Sequence, residues 1–383
     1  MQSSDKLTTK WIRNVADVSQ ADWDRLALPL QTPFLEWGFL HAIEQGGCVD
    51  PESGWLPNHL LLYNKKDLVA IAPLYIKGHS YGEFVFDQEW AHVAMQMGLE
   101  YYPKLLGAVP FTPTIGYRFL LDPTYDQDQL NRIILKEIDS FCMAHNILGS
   151  HFLFVEPSWG EQIQRLGYHA WLHSSLIWQG AGESSFPDYL QRFDSHRRRT
   201  IKQERKKIAK QALDFRVLTG EQISTELLAN MYEYYNLTCS KFHYFSKYLT
   251  KQFFLSLREL FAERLALVCA FAEDSDVPKA MSFLVHKDQH VYGRYWGGQS
   301  SGQDYLHFEA CYYQPIEWCI ANGKKFYDAG SGGYEHKRRR GFLATPNHSL
   351  HRFYNEQYDT IWQKNIHRIN LAQERQIEAI NEK

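Results

Sequence analysis

The densest chemistry in the chain begins at Asp328-Ala329-Gly330-Ser331-Gly332-Gly333 and runs almost at once into His336-Lys337-Arg338-Arg339-Arg340. Glycines after a strand let the backbone come close to a ligand and adopt positive φ. Bare N–H groups with cations beside them make an anion cradle. The spacing is neither that of a phosphate-binding GxxxxGK[ST] loop nor that of a dinucleotide fingerprint. Asp328, at the end of a strand and beside the glycines, is placed either to accept a proton or to cap the turn. A second cationic stretch covers residues 197–210, with eight Lys or Arg and one Glu. On a helix, Arg198, Lys202 and Arg205 fall at i, i+4, i+7 on one face, and Ile201, Ile208 and Ala212 mark another. Such a stripe attracts the phosphates of tRNA, coenzyme A or a lipid pyrophosphate, or it is simply a solvated face.

The net charge of -3 excludes a globally basic nucleic-acid binder, so any such role falls to these two patches. Six cysteines form no CxxC pair, which argues against a zinc ribbon or a dithiol redox site. Cys311 follows His307 by four residues, a helical neighbour pair that suits an activated thiol, although a core thiol is the commoner outcome. His348 and His351 stand three apart without a third ligand at useful spacing, so no metal is expected.

These residues must be carried by elements, and the elements occur twice. A chain of 383 residues, 44% hydrophobic and 22% charged, suits two ordinary domains. His59–Ile76 reads as two apolar strands around the polar turn 64–67, a β-hairpin. Leu265–Val285 repeats that pattern, and His290–Gly297 alternates like a third strand. Helical material precedes each hairpin, at 39–46 in the first half and at 227–235 and 251–261 in the second. Each half then continues into a helix and a strand: 129–145 and 150–155, then 307–322 and 325–328. The plan predicts an α/β fold of mixed, largely antiparallel sheets flanked by helices. Between the halves, residues 186–212 read as one long helix with Pro187 in its first turn. Residues 351–382 read as a C-terminal helix packing one stripe on the body. No run of about 18 apolar residues predicts a membrane span, and MQSSDKLTTKW lacks the apolar segment of a secretory signal. A cytoplasmic protein is expected, compatible with peripheral membrane contact.

Several stretches together resemble one family. They are 33–37 (PFLEW), 54–57 (GWLP), 75–86 (YIKGHSYGEFVF), 101–113 (YYPKLLGAVPFTP), 196–207 (HRRRTIKQERKK), 292–297 (YGRYWG), 307–314 (HFEACYYQ) and 341–351 (GFLATPNHSLH). In this order they are similar to the FemABX-like aminoacyl- and acyltransferases, and more closely to a branch of N-acyltransferases related to peptidoglycan biosynthesis. The resemblance implies two tandem GNAT-like domains. We expect a first, acceptor-side domain over 1–185, a linking basic helix with a second, donor-side domain over 186–350, and the C-terminal helix over 351–383.

The resemblance also implies a reaction: direct attack by an amine on an activated acyl or aminoacyl group. Acyl-CoA, an acyl carrier or aminoacyl-tRNA would be the co-substrate, with no cofactor tightly bound. The acceptor would be a peptidoglycan or other cell-envelope precursor, or a small metabolite. Such transfer needs a neutral amine, a polarised carbonyl and a proton acceptor. The candidates are Asp328, Glu335, His336 and Glu309, with His307 nearby and Tyr295 as an oxyanion donor. On the donor side the resemblance points to Arg294, Gln299, Gly302, Gly330, Gly332, Gly333, Lys337 and Arg338, with Arg198, Lys202 and Arg205 on the helix. The family's pyrophosphate turn reads Gln/Arg-x-x-Gly-x-Gly/Ala, whereas this chain ends it with Asp304, a carboxylate that repels pyrophosphate and suits a helix N-cap. On the acceptor side it points to His79, Tyr81, Glu83, Tyr102, Lys104 and Thr112. The alternative is a catalytically idle double-GNAT scaffold that holds RNA or an anionic envelope polymer on its two basic patches.

Overall fold

A computed structural model describes residues 7–241, 247–299, 305–330 and 332–382. The chain divides into two compact units, Met1–Ser174 with Pro346–Ala379, and Ser175–Thr345 with Ile380–Lys383.

In the first unit the anticipated hairpin forms from His59–Asn64 and Asp67–Ala72. It is flanked by Leu7–Ile12 and Leu120–Leu121 in a four-stranded antiparallel sheet. A second sheet takes Trp55–Pro57, Tyr75–Lys77, Lys104–Gly107 and Gly149–Phe152 in that order. The last of these pairs antiparallel with residues 350–353 of the strand Phe342–Phe353. Period-two alternation gives this sheet two different faces. Ile76, Leu105, Phe152 and Leu350 turn into a core built with the helix Gln127–Ala144, which buries Leu130, Ile134, Ile138 and Cys142 at helical spacing. The opposite face carries Lys77, Lys104, His151 and His351. It is covered by aromatics from the helices Gln88–Gln96 and Glu356–Asn381, chiefly Trp90, Tyr358 and Trp362.

In the second unit Leu213–Thr219, Leu265–Ala272, Ala280–Lys287 and His290–Gly298 form an antiparallel meander. Phe326–Asp328 adds parallel to the last of these and antiparallel to the end of His169–Gln179. A helical segment runs from Leu306 to Ala321 through a π-helical turn at Glu309–Tyr313.

Two expectations about helices are corrected. Residues 186–212 do not form one helix but two, Phe186–Leu190 and Ser195–Ala209, because the Asp194 side chain accepts the Arg197 N–H and starts the second afresh. The C-terminal helix begins at Glu356 rather than 351, since Phe342–Phe353 is a strand. His348 and His351 therefore lie on opposite faces of a strand, which by itself disposes of a shared ligand position.

Candidate functional site

Each unit contains a buried polar centre. In the second, the strand Phe326–Asp328 ends at Asp328, which is 6% exposed. Its Oδ1 accepts the Gly330 N–H at 2.8 Å. Gly330, Gly332 and Gly333 all have positive φ, from 62° to 78°, as the Gly-rich turn requires. Gly330 also comes so near the neighbouring strand that a Cβ would lie 3.0 Å from the Gly293 carbonyl oxygen. The turn leads into the short helix Tyr334–Arg338, whose Lys337 is 3% exposed and donates from Nζ to the Gly330 carbonyl. Burial pulls the Lys337 amine down to about 8, against the pull of Asp328. Burial raises the Asp328 carboxyl, opposed by the Gly330 N–H, Lys337 and Arg294. Arg294 is the extra residue of a β-bulge, because Phe283 pairs with Tyr295 while Leu284 pairs with Gly293. A bulge re-aims a side chain, and here the guanidinium acts electrostatically on both Asp328 and Lys337.

The helix that carries Lys337 also walls a cavity of about 610 Å³. Arg197, Arg338, Arg339 and Arg340 bring cations to it, and Tyr305, Phe308 and Tyr313 bring rings. Arg340 stacks 3.7 Å above Phe308 and donates from Nη2 to Glu204 at 2.6 Å, while its Nε is buried without a partner. Arg338 Nη1 is likewise buried and unpartnered. His336 lies 5.3 Å from the Phe308 ring. Unsatisfied guanidinium donors beside aromatic faces suit a ligand with both phosphate and a flat ring. Glu335 is exposed and pairs with Arg339.

The other candidates make the following contacts. Glu309 is buried, and both its oxygens accept from Arg205 at 2.9–3.2 Å while Oε1 also accepts from Gln314. Arg205 further bonds Glu317 at 2.8 Å and lies 4.4 Å over the Phe186 ring. The pair clamps the basic helix to the π-helical turn. Arg198 donates to the Phe193 carbonyl at 2.5 Å and shares a shallow groove with Arg199, Lys202 and Lys206. Tyr295 packs among Tyr235, Phe254 and Phe283. The Gln299 N–H closes the strand end on the Lys279 carbonyl at 2.9 Å. Gly302 and Asp304 lie outside the described residues. Burial holds the His307 imidazole down to about 4, and pushes the Cys311 thiol up to about 12, an inert core thiol.

In the first unit, Lys104 is 1% exposed and donates from Nζ to Glu83 at 2.7 Å, Asp87 at 2.5 Å and Ser80 at 2.8 Å. Tyr102 meets Ser80 at 2.9 Å, and Tyr101 donates to Asp87 at 2.9 Å. Lys77, fully buried, lies 4.0 Å above the Trp55 ring and donates to the Tyr81 carbonyl at 3.2 Å. Burial pulls Lys77 down to about 7 and pushes Glu83 up to about 7. Burial opposes the charges of Asp87 and Lys104 too, but their mutual attraction holds Asp87 below and Lys104 above its ordinary value. Glu83 Oε1 and Asp87 Oδ1 are buried without partners. His79 accepts the Tyr81 N–H at 3.2 Å. Thr112 turns inward on the Pro110 carbonyl, and the adjoining Phe111 ring fills the space left by Gly82, where a Cβ would be 2.7 Å away. Thus His79, Tyr81, Glu83, Tyr102 and Lys104 come together. Lys77, Asp87, Ser80 and Tyr101 were missed by the sequence reading. Lys77 stands beside Tyr75 and Ile76 in an otherwise apolar strand, a signal that was available. Asp87 and Tyr101 meet Lys104 only through tertiary pairing.

A FemAB-like family model, described as peptidoglycan biosynthesis/recognition, matches residues 14–383. No curated protein matches the sequence. Among solved structures, FemX superimposes with TM-score 0.54 at 10% identity, over 93% of this chain and 100% of that one. L-PGS from Bacillus licheniformis gives 0.50 at 9%, over 82% and 91%. The C-terminal domain of a putative lysylphosphatidylglycerol synthetase from Agrobacterium fabrum gives 0.54 at 8%, over 92% and 97%. At such identities these likenesses speak to the fold alone.

Proposed function

The chain belongs to the FemAB-like family, and from that premise we propose that it is an acyltransferase that moves an activated acyl or aminoacyl group to the amine of a cell-envelope precursor. The observation that carries the reading is the buried Asp328–Gly330–Lys337 constellation, whose Lys337 sits on the helix that also walls the arginine-lined cavity. The cavity receives the phosphates and base of the donor, acyl-CoA or the terminal adenosine of a charged tRNA. Lys337 and the N–H groups of the glycine turn polarise the donor carbonyl, a stabilisation that grows as negative charge develops on its oxygen. The first unit takes the acceptor, whose ammonium suits the unpartnered oxygens of Glu83 and Asp87.

Proton bookkeeping divides the work. An ammonium acceptor loses one proton before it can attack and a second from the nitrogen that becomes the amide. Asp328, raised by burial, is the proton carrier on the donor side and hands one to the leaving group. Asp328→Asn is expected to bind donor as the wild type does and to lose about 10²–10⁴-fold in turnover. Unchanged turnover in this variant would sink the reading. Thermal shift names the donor, because a ligand at about a hundred times its Kd adds roughly 2.7 kcal/mol.

A further inference from the structure

The sheet face that carries Lys77 and Lys104 also carries an unbroken chain of hydrogen-bonding side chains that the transfer chemistry above does not use. His151 and His351 are cross-strand partners, and their Nδ1 atoms stand 2.7 Å apart. His351 Nε2 is 2.7 Å from Ser349 Oγ, and Ser349 Oγ is 2.7 Å from His173 Nε2. Ser349, His151 and His351 are at most 2% exposed, whereas His173 is half-buried. At the inner end His151 Nε2 is buried without a partner. It reaches over Gly149, where a Cβ would stand 3.0 Å from it. Leu105 pairs with Ser150, so Lys104 occupies the strand position beside Gly149. The imidazole therefore leans toward the strand that carries Lys104, beside the Phe353 ring, whose Cδ1 would stand 2.8 Å from the same Cβ.

Two ring nitrogens facing each other at this distance share a single proton, one donating and the other accepting. Burial holds both His151 and His351 well below the ordinary imidazole range, and the positive charge of Lys104 adds to this. The charged groups facing the chain are Lys104 and Asp87, with His348 acting at the His173 end. The chain is therefore neutral, with one proton in every link, and it has two equivalent senses.

We propose that His151, His351, Ser349 and His173 form a proton relay that carries the first proton of the acceptor ammonium from the Lys104–Glu83–Asp87 cluster out to the rim of the first unit. The proposal rests on the reading that this unit receives the acceptor amine. The step balances. A proton arrives at His151 Nε2, and the Nδ1 proton passes to His351 Nδ1. The His351 Nε2 proton passes to Ser349, the Ser349 hydroxyl proton passes to His173 Nε2, and His173 releases its Nδ1 proton to water. One proton enters, one leaves, and every link is reversed. Amide formation from an ammonium and an acyl donor releases one net proton once the leaving group has taken the other, so a single path of this kind suffices. The four residues act through the cluster and are positioning residues for its proton.

The test uses the full chain with 15N-labelled imidazoles, observed by long-range 1H–15N correlation between about pH 5.5 and 8.5. Neutral tautomers at His151 and His351 are expected throughout. Ser349→Ala should slow exchange of the His151 ring proton with water by about tenfold or more, and Ser349→Thr should restore it. In turnover, Ser349→Ala should lower kcat about a hundredfold with KM unchanged. An imidazolium at either buried histidine in this range, equal exchange in Ser349→Ala, or an unchanged kcat overturns the relay. If Ser349→Ala does not fold, His173→Phe breaks the chain at its half-buried end and is read in the same way. Should Glu83→Gln leave acceptor binding intact while exchange still depends on Ser349, the acceptor assignment fails and the proton path stands.

Discussion

Replacing Lys104 by Met keeps the length of the side chain and removes its charge, and the structure fixes what that costs. The Lys104 side chain is 2% exposed, and its partners Glu83 and Asp87 are 0% and 2% exposed. Loss of the ammonium strands the Asp87 charge away from water, and Glu83, already pushed up to about 7, rises further and takes a proton. Breaking a buried pair in this way costs about 3–5 kcal/mol. The unit concerned has roughly two hundred residues, for which each kcal/mol shifts the melting temperature by about 2–4 °C. The first unit should therefore melt about 6–20 °C lower in Lys104→Met, followed by scanning calorimetry. Adding Glu83→Gln and Asp87→Asn removes the stranded charge, so the triple variant should recover most of the loss. A single variant that melts within about 2 °C of the wild type would mean that water reaches the cluster, and the buried-charge reasoning would be refuted.

Two further outcomes are expected. Lys77 titrates near 7 in the fold because burial disfavours its charge, whereas in the unfolded chain it holds its proton to about pH 10.4. The unfolded state then binds the extra proton between those values, so stability rises with pH across that window and falls away towards pH 7. Lys337, at about 8, acts in the same sense. Lys77→Met should flatten this slope in urea melts taken across the window, and equal slopes would refute the assignment. Glu309→Gln leaves Arg205 with Glu317 alone, and it should lower the stability of the second unit by about 1–3 kcal/mol, read from its urea midpoint. If turnover falls while that midpoint stays put, Glu309 touches the chemistry and is no clamp.

Much of the fold was legible because its signals are local. Both hairpins, the strand ending at Asp328 and the positive φ of Gly330, Gly332 and Gly333 follow from alternation and glycine chemistry within a few residues. The break at Asp194 was legible too, since an Asp three residues before Arg197 is an N-cap signal, but a basic run of helix formers masked it. Glu309 is read in the sequence as a candidate proton acceptor, and nothing near it in sequence announces Arg205, 104 positions away. The histidine chain was hidden for the same reason, since His151 and His351 meet across 200 positions and only the strand register puts their rings face to face.

The first unit is interrupted in sequence, closing only with Pro346–Ala379, while Ser175–Thr345 supplies nearly all of the second. During synthesis the second unit can therefore finish folding while the first is still incomplete. Until the last few dozen residues emerge, Trp90 and Tyr101 lack Phe353, Tyr358 and Trp362, and His151 lacks His351. For that interval the nascent chain exposes the rings of Trp90 and Tyr101 beside a sheet face that carries a buried ion cluster, a state that invites chaperone attention. A stop codon just after Thr345 would spare the glycine turn and the arginine cavity and yet leave the earlier-made half of the molecule unable to close.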